Sequence, residues 1–242
     1  MTGCGVLAGI TSTVGGLASV VSYPALLWIG LPAVQANVTN TVALVFVAVG
    51  AAIGSRSELA GQSRRLVRLG AMNLAGGGVG ALLLLTTPAG AFEAVVPWLV
   101  AGAGVLLLCR QKVMRRAAGP VGERGPVLLV ALFASAVYTG YFGAGGGIVL
   151  LALLTTAISE PLPRVNAVKN VLSGMSNAVA AVGFAVFGPV CWTAVPPMAC
   201  GLLVGGVLGP AIVRRLRADV LRLLIGVAAV GLAVKFAVDA YV

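Results

Sequence analysis

Two apolar stretches of this chain, residues 3–30 and 127–158, are too long to cross a membrane as single straight helices. At 1.5 Å per residue they would run about 42 and 48 Å, against a hydrocarbon core of about 30 Å. Each carries glycines near its middle: Gly15-Gly16 in the first, and Gly140-Tyr141-Phe142-Gly143-Ala144-Gly145-Gly146-Gly147 in the second. Each is followed by a polar cluster opening the next apolar segment, Asn37-Val38-Thr39-Asn40 and Asn166-Ala167-Val168-Lys169-Asn170. Interrupted helices with polar groups at membrane depth, occurring twice, are the pattern of a transporter site.

Further apolar segments lie at 36–54, 66–87, 92–109, 167–187, 192–213 and 219–241. The chain is 60% hydrophobic and 9% charged. A soluble domain carries about 25% charged residues. This chain therefore cannot cover a soluble surface, and an integral membrane protein without a soluble domain is expected. The net charge of +10 does not point to nucleic acid, because the basic residues sit in short clusters between apolar runs, as cytoplasmic loops do. No charge precedes Arg56, so no cleavable leader with a charged start is expected. Cys4, Cys109, Cys191 and Cys200 show no close pairing and the chain has no histidine. No metal or cofactor is expected, and the cysteines read as small apolar filler.

The positive-inside rule tests how many segments span. Basic clusters fall at Arg56–Arg68, Arg110–Arg124, Arg164–Lys169 and Arg214–Arg222, while the connections near 30–35, 87–92 and 188–191 carry no Lys or Arg. Eight full spans, four per half, would put the 214–222 arginines outside and leave an inside loop bare. If the two overlong segments are re-entrant hairpins, every basic cluster falls inside. Only Lys235 is left over, within reach of Asp239 one turn on. The fold class expected is then all-α. Residues 1–110 form an N-terminal membrane repeat and residues 126–242 a C-terminal one. Each is a glycine-broken hairpin plus three spanning helices, and three is odd, so the halves have inverted topology. Residues 111–125 form a basic cytoplasmic linker. Eight full spans remain the alternative.

The two halves can be superposed with Asn37–Asn40 over Ala167–Asn170, which sets Thr39 on Lys169, Asn40 on Asn170 and Gly15-Gly16 on Gly145-Gly146. The glycine break, the Pro-containing turn and the Asn-Ala-x-Lys-Asn helix start, repeated as Ala-x-x-Thr-Asn, resemble the sulfite exporter TauE/SafE family, also called the toluene-sulfonate uptake permease family. The resemblance covers nearly the whole chain, and Asn166–Asn170 is its most specific part. The first half departs from the glycine-dense pattern, with Thr13-Val14-Gly15-Gly16-Leu17-Ala18-Ser19. The resemblance implies a multi-pass bacterial inner-membrane permease for sulfite, sulfonates or related small organic anions.

The residue chemistry fits an anion. A half-helix starting near Gly147 would offer N–H groups and the positive end of its dipole. Lys169 is the cation nearest that break; it either holds an oxyanion as a point charge or snorkels and pairs with Glu160. Asn40, Asn166 and Asn170 can donate amide hydrogens, and Asn177, two turns beyond Asn170, reads better as an interhelical contact. Tyr138 and Thr139 precede the second break, and Thr11, Ser12 and Thr13 the first; these hydroxyls either line the site or bond their own helices. The candidate binding set is Gly15, Gly16, Thr39, Asn40, Tyr138, Thr139, Gly145, Gly146, Gly147, Asn166, Lys169 and Asn170. Gly76-Gly77-Gly78 and Gly205-Gly206 read as close helix packing. Trp28, Trp98 and Trp192 read as interface anchors.

Among function classes, a permease of small anions with alternating access leads. An anion channel with Lys169 and the asparagines as its filter is the alternative. An enzyme is not expected: there is no His for a Ser–His pair, no paired intramembrane carboxylate and no P-loop. The expected partners are a small anionic substrate and the lipid bilayer, with a homodimer left open. No carboxylate falls at mid-membrane, so coupling through a buried acid is poorly supported.

Overall fold

The computed structural model describes residues 1–108 and 125–215. The linker 111–124, Cys109 and the last apolar segment with Lys235 and Asp239 lie outside the described residues. Among those described, every regular element is α-helical: α1 Thr2–Gly15, α2 Ala18–Trp28, α3 Ala33–Gly54, α4 Arg56–Leu59 and α5 Ser63–Thr86. Then follow α6 Ala89–Leu108, α7 Pro126–Tyr141, α8 Gly146–Ala157, α9 Leu162–Phe187 and α10 Val195–Arg215. Four of them, α3, α5, α9 and α10 as far as Ile212, are long and apolar enough to cross a membrane. Leu82, Val130, Val182 and Phe187 are exposed, an outward apolar face that suits lipid. Trp28, Trp98 and Trp192 are also exposed.

Both overlong segments are broken where the glycines sit. The first breaks at Gly16-Leu17, with Gly16 left-handed at φ 72°. The second breaks over Phe142–Gly145, with Gly143 and Gly145 at φ 77° and 75°. Prolines start the helices that follow: Pro32 caps α3 and Pro161 caps α9, positions where a missing N–H costs nothing.

The directions of the helices follow from which residues meet. Gly5 of α1 lies against Met198 and Gly201 of α10, Gly9 against Leu202 and Gly205, and Thr13 against Gly209. The two helices therefore run parallel. Gly50 of α3 meets Leu203 and Gly206, and Gly54 meets Val207 and Pro210, so α3 runs the same way. In a second set, Gly76 of α5 meets Phe133 and Ala136 of α7, and Gly80 meets Val137 and Gly140. Gly77 meets Ser176 of α9 and Gly183 meets Ala81, so α5, α7 and α9 are mutually parallel. Small residues at these seams let the backbones approach closely.

The two sets run in opposite directions. Arg164, at the start of α9, donates to the carbonyls of Glu58 and Ala60 just past the end of α3, at 3.3 and 2.7 Å. Further along, Gly174 lies on Ala48. Because α1 and α3 are parallel, α2 must carry the chain back between them, and α8 does the same between α7 and α9. Near the crossing, the rings of Tyr23, Phe92, Tyr141 and Phe142 meet edge to face at centroid distances of 5.3 to 6.0 Å.

At the end where α9 starts, Glu160 accepts from Gln62 at 2.7 Å and pairs with Arg65 at 2.6 Å and Arg164 at 3.0 Å. The hydrogen bond from Arg65 outweighs the cost of partial burial and holds the Glu160 carboxyl below its ordinary pKa. A folded pKa below the unfolded one stabilises above the unfolded value, near 4.3, and is lost as pH falls through the lowered folded value. Glu160→Gln is expected to lower the melting temperature at pH 7 by a few degrees at most. The gap to wild type should narrow as pH falls from 7 to 3; a gap of equal size at pH 3 and pH 7 would contradict this account.

Candidate functional site

The two helix breaks meet. A Cβ built on Gly16 would lie 2.5 Å from the Gly147 Cα, and one built on Gly147 would lie 2.5 Å from the Gly16 Cα. The broken helices thus touch backbone to backbone, and no side chain fits between them.

Each break is tied down by the polar helix start of the other half. Asn166 Nδ2 of α9 donates to the Thr13 carbonyl at 2.8 Å, and Asn37 Nδ2 of α3 donates to the Tyr141 carbonyl at 2.9 Å. The last carbonyls of a helix have no intrahelical donor, and inside a membrane they must find one. Each amide supplies it for the opposite broken helix. The two asparagines are placed alike: each stands five residues after the proline that caps its helix, and Asn40 and Lys169 each follow three residues on.

Beside the contact lies a cavity. From the first half it is lined by Ser12, Thr13, Gly16, Ala18 and Ser19, and by the α3 face from Leu44 to Ala51. From the second half come Thr139, Gly143 and Gly147, with Lys169, Asn170, Ser173, Gly174 and Asn177 of α9. The α9 residues recur at helical spacing and so share a face. The space open to the centre of a water-sized molecule is about 40 Å³. That is room for about three waters or one small inorganic anion.

The lining is rich in donors. Lys169 is 1% exposed and donates from Nζ to the Ser12 carbonyl at 3.0 Å. Glu160, the alternative partner, is occupied by Arg65 and Arg164. Asn170 is 6% exposed, and its Nδ2 has no hydrogen-bond partner among the described residues. The first residue of α2, Ala18, and the second of α8, Gly147, both lie on the cavity wall. Two positive helix ends are thereby added to the lysine and the amide.

Of the expected residues, Gly16, Thr139, Gly147, Lys169 and Asn170 come together on this cavity. Gly15 ends α1 beside it. Asn166 serves the Thr13 carbonyl instead. Asn40 donates to Ser19 Oγ at 3.2 Å, and Thr39 Oγ1 accepts from the Cys191 N–H at 2.9 Å. Gly145 and Gly146 form the turn into α8, where Tyr138 donates from its hydroxyl to the Ala144 carbonyl. Thr11, Thr13 and Thr139 return their hydroxyl hydrogens to their own helices, so Thr13 and Thr139 present oxygen and methyl groups rather than donors.

The cavity also includes residues the sequence did not single out, or assigned elsewhere. Ser19, Ser173 and Gly174 line it, and Asn177 does so rather than serving only between helices. Asn177 and Ser173 follow Asn170 at spacings seven and three, a signal that was present. Ser19 had none until its distance from the break was known.

Comparison with known proteins agrees with this architecture. The family model described as Sulfite exporter TauE/SafE matches residues 1–236. A Haemophilus influenzae protein named "Probable membrane transporter protein" is 25% identical over 212 residues, covering 86% of this chain and 82% of that protein. A Sinorhizobium protein named "Probable membrane transporter protein ORF9" is 24% identical over 245 residues, covering 96% of this chain and 89% of its own length. No solved structure matches. The match along nearly the full length, on a chain whose apolar helices carry the motif, makes this protein a member of the TauE/SafE sulfite exporter family, a family of membrane transporters.

Proposed function

We propose that this protein is a permease that moves small oxyanions, sulfite or compact sulfonates and organic acids, across a bacterial inner membrane. The observation carrying this reading is the cavity where Lys169 and the Asn170 Nδ2, unpartnered among the described residues, meet two helix N-termini. That donor set suits an anion. The limited volume favours an ion of the bulk of sulfite over an aryl sulfonate.

We read the topology as an inverted repeat, with α1–α2 and α7–α8 as re-entrant hairpins entering from opposite faces. Support comes from the two antiparallel sets of parallel helices and from the reciprocal amide ties. Halves at 1–110 and 126–242, joined by the basic linker 111–125, follow from that reading. In the alternating-access scheme, one half would rock against the other about the Gly16–Gly147 contact.

Reconstitution into proteoliposomes tests the activity. Sulfite flux is expected to saturate and to be accelerated by sulfite on the opposite side, and toluenesulfonate is expected to compete poorly. Large single-channel currents without trans-acceleration would replace the carrier by a channel, and the absence of anion flux would overturn the reading.

A further inference from the structure

The structure assigns Asn40 a positioning role: its amide aims the Ser19 hydroxyl hydrogen into the cavity as a donor to the anion. The inference rests on the anion-site reading and adds to it a residue that never touches the ligand.

Asn40 is fully buried on α3, and its Nδ2 donates to Ser19 Oγ at 3.2 Å. A hydroxyl has one hydrogen to give and two lone pairs to receive with. With the amide in one lone-pair direction, the Ser19 hydrogen must point elsewhere. Serine in a helix usually returns that hydrogen to the carbonyl four residues back, as Ser22 does to Ala18 at 2.8 Å. Ser19 sits in the first turn of α2, just after the Gly16-Leu17 break, where such a carbonyl is not in helical register. Among the described residues its hydroxyl has no recorded acceptor, and Ser19 is on the cavity wall. The open direction for the hydrogen is therefore the cavity.

The matched spacings from the two proline caps give this arrangement a counterpart. Asn40 corresponds to Lys169. Lys169 reaches α1, donating to the Ser12 carbonyl, while Asn40 reaches α2 and acts through Ser19. One half thus places its own donor on the cavity wall, and the other orients a hydroxyl there. An anion held this way has donors from both halves of the chain.

The test is sulfite binding to the purified full-length protein, measured calorimetrically in a double-mutant cycle of Ser19→Ala and Asn40→Leu, which removes the donor at similar volume. A hydrogen bond to an anion is worth about one factor of ten or more in affinity. Each single variant is expected to weaken sulfite binding about tenfold, and the double variant no more than either single one. Melting temperature without sulfite is followed in parallel, because a purely structural Asn40 would lower it without moving the affinity. Wild-type affinity in Ser19→Ala overturns the proposal, as do losses that add in the double variant. If Asn40→Leu does not fold, Asn40→Ala, which removes the amide without added bulk, takes its place in the cycle and the same outcomes decide. Lys169→Met in the same assay separates the two readings. Loss of binding there with unchanged Ser19→Ala sinks only the positioning role. No sulfite binding by the wild type would sink the anion site itself.

Discussion

Lys169→Met is expected to abolish sulfite flux, to below about one hundredth of wild type, while the protein folds as before. The two halves of this expectation come from different terms. In the folded protein Lys169 is the one fully buried charged side chain among the described residues, and it lines the cavity. Removing it leaves an anion with amide, hydroxyl and helix-end donors but no full charge to offset its desolvation. A single buried charge partner is worth about 3 kcal/mol or more when its counterpart stays buried, and 2.7 kcal/mol is already about a hundredfold. Stability responds differently. Without the anion, a buried ammonium is itself a cost, and methionine fills nearly the same volume without it. Against that stands the loss of contacts that include the hydrogen bond to the Ser12 carbonyl, worth about 1 kcal/mol. The melting temperature should therefore move little, or rise. Lys169→Arg should keep part of the flux, because charge is retained while shape is not. Full sulfite flux in Lys169→Met would remove this lysine from the site, and with it the main reason for reading the cavity as anion-binding.

The sequence made the membrane class and the helix breaks legible for a physical reason. Hydrocarbon thickness bounds the length of a straight helix, so 3–30 and 127–158 had to break, and glycine marks where. The breaks stand at Gly16-Leu17 and at Phe142–Gly145, close to the marked glycines. Lys169 and Asn170 were also legible, since polar groups inside an apolar helix are costly and seldom lack a role. What the sequence could not give was which polar group meets which. Asn40 and Asn170 look equivalent by identity, yet one orients a serine and the other faces the cavity. Asn37 and Asn166 serve carbonyls more than one hundred residues away. Such partners are fixed by the crossing of the two broken helices, a tertiary fact with no local signature.

The contact between the two breaks makes the second large prediction. Gly16→Ala combines two separate penalties, and the chain contains a control for each. The first is conformational: Gly16 has φ 72°, where an L side chain costs about 1–2 kcal/mol. Gly30 has φ 89° but open space where a Cβ would go, so Gly30→Ala meets the conformational cost alone. The second is steric: at Gly16 a Cβ would sit 2.5 Å from the Gly147 Cα and 2.6 Å from its carbonyl carbon. Backbone cannot rotate away as a side chain can, and overpacking typically costs about 1–3 kcal/mol. Gly147 is not among the positive-φ glycines, yet its Cβ would meet the Gly16 Cα at 2.5 Å, so Gly147→Ala meets the steric cost alone. Destabilisation is therefore expected in the order Gly16→Ala, at about 2–5 kcal/mol, then Gly147→Ala and Gly30→Ala. Unfolding of the purified protein in detergent would measure it. Flux sorts the same variants differently. Gly30→Ala leaves the central contact untouched and should transport as wild type does. Gly147→Ala forces the two broken helices apart beside the cavity and should lose transport even where it still folds. If Gly147→Ala transports normally, the two breaks do not need to touch, and the Gly16–Gly147 contact is not the pivot on which the two halves of this permease move.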